Sequence, residues 1–217
     1  MDHAFLEQLE DKSMTREDLR QKVTQRFELL PEVVAGVFSS KAAIRYGCAK
    51  VLLDLSDEHP EKLYPFMEVF LGLLETKYRI LLWNALAILA NLASVDVDRR
   101  LDAQFNAYYR FLADDYMVTV ANVVGNSGKI AAAKPHLIPQ ITEKLLTVEH
   151  LSTTPHLTEE CKRVIAEKAI AAFTSFIDHI EDKEPVISFV ERQLNSPRQT
   201  LSRAAETFLK QWRSEAR

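Results

Sequence analysis

The feature that most narrows what this chain can fold into is a set of apolar residues repeated in fixed register. In "KYRILLWNALAILANLAS", residues 77–94, the positions three, six, seven and ten after Arg79 are Leu82, Ala85, Leu86 and Leu89. The same offsets from Arg45 give Cys48, Val51, Leu52 and Leu55, and from Arg163 they give Ala166, Ala169, Ile170 and Phe173. From Arg198 they give Leu201, Ala204, Ala205 and Phe208. From Met117 they give Val120, Val123, Val124 and Ser127, where only the serine breaks the apolar pattern. Offsets three, seven and ten share one helical stripe, and a small residue at offset six lets a neighbouring helix come close. Copies in register mark an array whose units bury their apolar faces against one another.

Each copy follows a second amphipathic segment: "LLPEVVAGVF", "PEKLYPFMEVFLGLL", "RRLDAQFNAYYRFLA", "KPHLIPQITEKLLTV" and "EPVISFVERQL". Several open with proline near the first turn, where the missing N–H is not needed. Capping residues fill the turns between partners in "SSK", "ETK", "ADD" and "NSP". Each copy is therefore a helical hairpin of roughly 34 to 38 residues. The chain has only 5 glycines and no Asn-Gly or Asp-Gly hairpin signal, so an all-α fold is expected.

The order Arg-x-x-small-x-x-small-Leu, after an acidic turn and an amphipathic first helix, resembles HEAT repeats, with armadillo repeats the nearest relatives. The likeness runs from about residue 30 to 213. It implies a right-handed α-α superhelix, a solenoid of five HEAT-like hairpins. On this reading residues 1–29 form an N-terminal helical cap over the apolar end, and 30–217 form one continuous array. An irregular helical bundle is the alternative. Local details follow. Thr15 with Asp18 forms a capping box, and Thr158 N-caps a helix with Glu159 and Glu160 in its first turn. Gly125 and Gly128 kink or end the third second-helix early. Residues 150–157, Thr-rich and holding Pro155, form a protruding loop. Tyr108 and Tyr109 are adjacent, so at least one is expected at the surface or at an interface.

Composition sets limits on function. The apolar run of residues 80–93 is shorter than the roughly 20 residues of a membrane span and carries Asn84 and Asn91. The N-terminal "MDHAFLEQLEDK" lacks the order of a secretory signal, and Cys48 and Cys161 make no disulfide framework, so a reducing cytoplasm is expected. A net charge of -4 argues against bulk nucleic-acid affinity. Six histidines, His3, His59, His136, His150, His156 and His179, are scattered without metal-ligand spacing, and no nucleophile or phosphate-loop motif occurs. No catalytic residue, cofactor or metal is expected.

What remains is surface. Offset five on each second helix faces away from the apolar stripe. It holds Lys50, Asn84, Asn122, Lys168 and Arg203, cations and amides without an acid. One heptad on lie Asp57, Asn91, Lys129, Ser175 and Lys210, and Asn126 stands between the two rows. Asn is a poor helix former, so its recurrence there suggests use as donor and acceptor, whereas a merely solvated face is the plain alternative. The resemblance implies a non-catalytic scaffold or adaptor that binds an extended or helical, acidic segment of another protein on its concave face, at Lys50, Asn84, Asn91, Asn122, Asn126, Lys129, Lys168 and Arg203. The rival is a nucleic-acid binder, including a divergent DNA-repair glycosylase.

Overall fold

The computed structural model describes residues 4–215, so His3 and the ends of the cap and array lie outside it. Among the described residues the chain is helical, with one isolated bridge between Thr154 and Leu157. The helices are α1 (Ala4–Glu10), α2 (Arg16–Gln25), α3 (Leu30–Gly36), α4 (Ala42–Glu58), α5 (Pro60–Leu63), α6 (Met67–Gly72) and α7 (Arg79–Leu92). They continue as α8 (Arg100–Ala103), α9 (Phe105–Tyr109), α10 (Met117–Ala133), α11 (Ile138–Leu146), α12 (Glu159–Phe176), α13 (Glu184–Arg192) and α14 (Gln199–Glu215). The second helices of the five copies are α4, α7, α10, α12 and α14. Two compact units divide the chain, Met1–Gln104 and Phe105–Arg217.

In the first unit α4 packs on α7, and α1, α2 and α3 pack on α4. Leu6, Leu9, Leu19 and Val23 are buried there, where the two N-terminal helices meet α4. Thr15 holds the expected capping box with Asp18, each taking the other's backbone N–H. In the second unit α12 packs between α10 and α14, and α11 and α13 close the other side. The repeated stripe is the core of both units: every residue at offsets three, six, seven and ten is buried except Ala204, which is half-buried.

The first helices are short because their prolines interrupt them. Pro65 and Pro135 sit at the start of 3-10 turns, Tyr64–Phe66 and Pro135–Leu137, where a residue without N–H cannot continue an α-helical ladder. Where no such break exists, side chains set the ends. Asp96 accepts the backbone N–H groups of Arg100 and Leu101, both at 2.9 Å, and starts α8. Thr158 accepts from Cys161 N and starts α12, with Glu159 and Glu160 in the first turn.

Three expectations are corrected. The helix α10 runs unbroken from Met117 to Ala133, through Gly125 and Gly128. The second glycine serves packing: a Cβ on Gly128 would meet Ser175 Oγ at 2.6 Å, so α12 lies close against it. Tyr108 and Tyr109 are both buried, at 0% and 3% exposure. Adjacent helical residues diverge by only about 100°, and a wide enough apolar arc takes both. Finally, residues 150–157 do not protrude freely. Thr154 Oγ1 donates to Asp115 O at 2.7 Å, Met117 N donates to His156 O, and the His156 ring stacks on Tyr116 at 4.1 Å. Leu157 is buried beneath them. The segment is tied to the start of α10.

Candidate functional site

Burial of the repeated stripe turns the opposite side of each second helix to solvent. In the first unit Lys50 is exposed on α4, with Nζ 2.6 Å from Asp54 Oδ1 one turn on. Asn84 on α7 is half-buried. Asn91 is half-buried too, and its Nδ2 donates at 2.9 Å to the buried Ser56 Oγ of α4. That bond ties α7 to α4, so at least this side of Asn91 serves the packing.

In the second unit Lys129, Lys168 and Arg203 are exposed on α10, α12 and α14. Lys168 leans over the neighbouring helix: a Cβ built on Gly125 would meet its Nζ at 3.8 Å. The glycine therefore gives the lysine room beside Asn122, one turn earlier on α10. Asn122 is half-buried and donates through Nδ2 to Val118 O at 2.8 Å. Asn126 bonds the fully buried Tyr108 hydroxyl. It holds α9 to α10. The unit thus brings Asn122, Lys129, Lys168 and Arg203 to the solvent side of three helices packed in sequence, while Asn91 and Asn126 also act as inter-helix links.

Sequence reasoning passed over a second row. At offset one stand Tyr46, Ile80, Val118, Val164 and Gln199, apolar in all but the last and all at least partly exposed, with Ile80 at 46% and Val118 at 42%. Large aliphatic residues on a solvated face one turn from the amide row give that face an apolar strip. The spacing was legible, because offset one lies four residues before offset five. Offset eight carries Leu53, Ala87, Gly125, Ala171 and Glu206, and at Ala87, Gly125 and Ala171 the small residue leaves the helix backbone low between the two polar rows. A strip of this kind, apolar, then amide or cationic, then low, suits an extended chain: donors and acceptors for its backbone, apolar contact for alternate side chains.

Among the described residues no group of three His, Cys, Asp or Glu is arranged to hold a metal ion, and no helix is long and apolar enough to cross a membrane. Cys48 is buried in the core, where burial pushes its thiol up to about 12.

No protein-family model matches this chain, and no curated protein matches it. Solved structures do. A designed armadillo repeat protein is similar at 19% identity and a TM-score of 0.62, covering 96% of this chain and 92% of its own. A second designed armadillo repeat protein, in complex with the peptide (KR)4, is similar at 15% identity and a TM-score of 0.63, covering 96% and 90%. Computationally designed armadillo repeat proteins for modular peptide recognition are similar at 17% identity and 0.63, covering 94% and 90%. The fold is that of a HEAT/armadillo-like, all-α repeat solenoid.

Proposed function

We propose that this protein is a non-catalytic binding scaffold, cytoplasmic in setting, that holds an extended or helical segment of another protein along the solvent side of its second helices. The observation that carries this reading is the paired rows: apolar at offset one in the first four copies, amide or cation at offset five in all five, on a fold shared with repeat proteins built to hold peptides. The site residues are Lys50, Asn84 and Asn91 in the first unit and Asn122, Asn126, Lys129, Lys168 and Arg203 in the second, each unit supplying its own stretch. One of the similar structures holds a basic peptide. Here the offset-five row has no acid, so charge complementarity favours an acidic segment instead.

The test is capture from native lysate with cross-linking mass spectrometry. Cross-links concentrated on Lys50, Lys129, Lys168 and Lys210 support the reading. Cross-links confined to the first helices refute the placement. Capture of nucleic acid alone, with affinity falling steeply with salt, would replace the reading by its rival.

A further inference from the structure

A cleft of about 560 Å³ opens in the first unit where the turn between α1 and α2 meets α4. Leu9, Met14, Ala43 and Tyr46 form apolar walls, and the charged groups that line it are Lys12 and Arg16. Among the described residues no carboxylate lines it. Gly47 keeps the α4 side low, since a Cβ there would meet Leu9 Cδ1 at 3.0 Å. The cleft is within the range of sites that hold a small ligand or a few side chains.

Both cations stand where the fold gains nothing from them. Lys12 has a φ of 64°, in the left-handed region, within the turn that closes α1. Glycine takes that backbone without strain, and lysine does not. Arg16 occupies the first turn of α2, the end of a helix that favours anions. Both side chains are exposed, and among the described residues neither has an acid partner. The carboxylates nearby are each held by another group: Glu7 and Glu10 by Lys41, Asp11 by Ser13, Glu17 by Arg20 and Asp18 by Thr15. Positions that break a local rule with no return to the fold are where a function is expected.

Tyr46 joins this cleft to the second-helix face. It is the first member of the apolar row at offset one, and the row runs on to Ile80 of α7, the helix packed on α4.

We infer that this cleft seats an acidic and apolar stretch of the partner's segment: an apolar side chain against Leu9, Ala43 and Tyr46, flanked by Asp or Glu residues paired with Lys12 and Arg16. The inference rests on the reading above, whose face it extends toward α1 and α2, but it depends on different residues and is tested separately.

The full chain is titrated with acetyl-Glu-Leu-Glu-amide, acetyl-Gln-Leu-Gln-amide and acetyl-Lys-Leu-Lys-amide, and with a short oligothymidylate as a polyanion of another class. The backbone amides of Lys12, Arg16, Ala43 and Gly47 are followed by NMR. Saturable shifts are expected with the Glu peptide, about tenfold weaker binding with the Gln peptide as two exposed ion pairs are lost, and no shifts with the Lys peptide. Lys12→Gly combined with Arg16→Gln should abolish the Glu-over-Gln preference. Thermal stability should hold or rise in that variant, because glycine suits the left-handed backbone. Ala43→Glu, at an exposed position of α4, should remove the shifts by setting a like charge in the cleft, with helicity unchanged. In the triple variant Lys50→Glu, Lys168→Glu, Arg203→Glu the shifts at the cleft should remain, whatever becomes of the second-helix face. Equal binding of the Glu and Gln peptides, a preference that survives in the double variant, or shifts with the oligothymidylate alone would overturn the inference. A partner bound on the second-helix face with no shift at the cleft would overturn it too, and would leave the reading above standing.

Discussion

Gly128 of α10 faces Ser175 of α12 so closely that a Cβ on the glycine would stand 2.6 Å from the serine Oγ and 3.8 Å from the Ala172 Cα. The two helices meet here nearly backbone to backbone. Gly128→Leu has no room and is expected to cost about 1 to 3 kcal/mol through overpacking. Gly128→Ala is different, because Ser175 Oγ can rotate away and alanine regains about 1 kcal/mol of helix propensity. Near-neutral stability is expected. Adding Ser175→Ala should make the double variant more stable than Gly128→Ala alone, as read by urea melts.

The core register is checked at two neighbours on α7. Leu86 is fully buried in the repeated stripe, so Leu86→Ala should cost about 2 to 5 kcal/mol by lost burial and a residual cavity. Asn84, half-buried on the other side, should cost under about 0.5 kcal/mol when changed to Ala. Denaturant melts that ranked the two in reverse would refute the register.

Local periodicity explains why so much of the fold could be read from the chain. Cys48, Leu86, Val124 and Phe173 bury because offsets along one helix fix a shared face, whatever lies opposite. The misreadings share the contrary property. Gly128 looks like a helix breaker until Ser175 is brought against it from 47 positions away in the chain. The segment 150–157 looks free until Thr154 finds Asp115 and His156 finds Tyr116. Asn91 and Asn126 read as surface amides, yet Ser56 and Tyr108 claim part of each. For the candidate site, exposure of Lys50, Lys129, Lys168 and Arg203 was legible from the helical angle alone. The exposed aliphatics Ile80 and Val118 were legible too, but resemble core residues in composition, and only their position shows otherwise.

The core should fail at alkaline pH. Burial pushes the Cys48 thiol up to about 12 from its ordinary 9.0, and it pushes the Tyr108 and Tyr109 hydroxyls above their ordinary 10.0. In the folded chain these groups keep their protons, whereas the unfolded chain releases them from about pH 9 upward. The unfolded state then binds fewer protons than the native one, so stability must fall as pH rises through this window. Denaturant melts from pH 7.5 to 11 should show the decline, and Tyr109→Phe should make it shallower. A stability flat to pH 11 would contradict the burial of all three groups.

The segment 150–157 should resist limited proteolysis in the native protein, because its backbone is tied at Met117 and Asp115. Thr154→Val removes the hydroxyl that donates to Asp115 and should raise the cleavage rate within the segment several-fold without changing helicity. Mass mapping of the first cut distinguishes this from general loosening, which would expose other sites as well.

The basic positions of the second helices should not weigh equally in binding. Lys50 already faces Asp54 at 2.6 Å, so part of its charge is spent within α4 before a partner arrives. Lys50→Glu would also set two acids one turn apart, at a cost of a few tenths of a kcal/mol (about 0.2 to 0.5) in the fold itself. Lys168 and Arg203 are exposed on α12 and α14, and their reversal replaces attraction by repulsion with less change inside the protein. For an acidic partner found by capture, calorimetry should therefore show Lys168→Glu and Arg203→Glu each weakening binding more than Lys50→Glu does. All three losses should shrink as salt rises past physiological strength, where charges farther apart than about 8 Å are screened. Unchanged affinity in the triple variant, with the helical signal intact, would move the partner off this face.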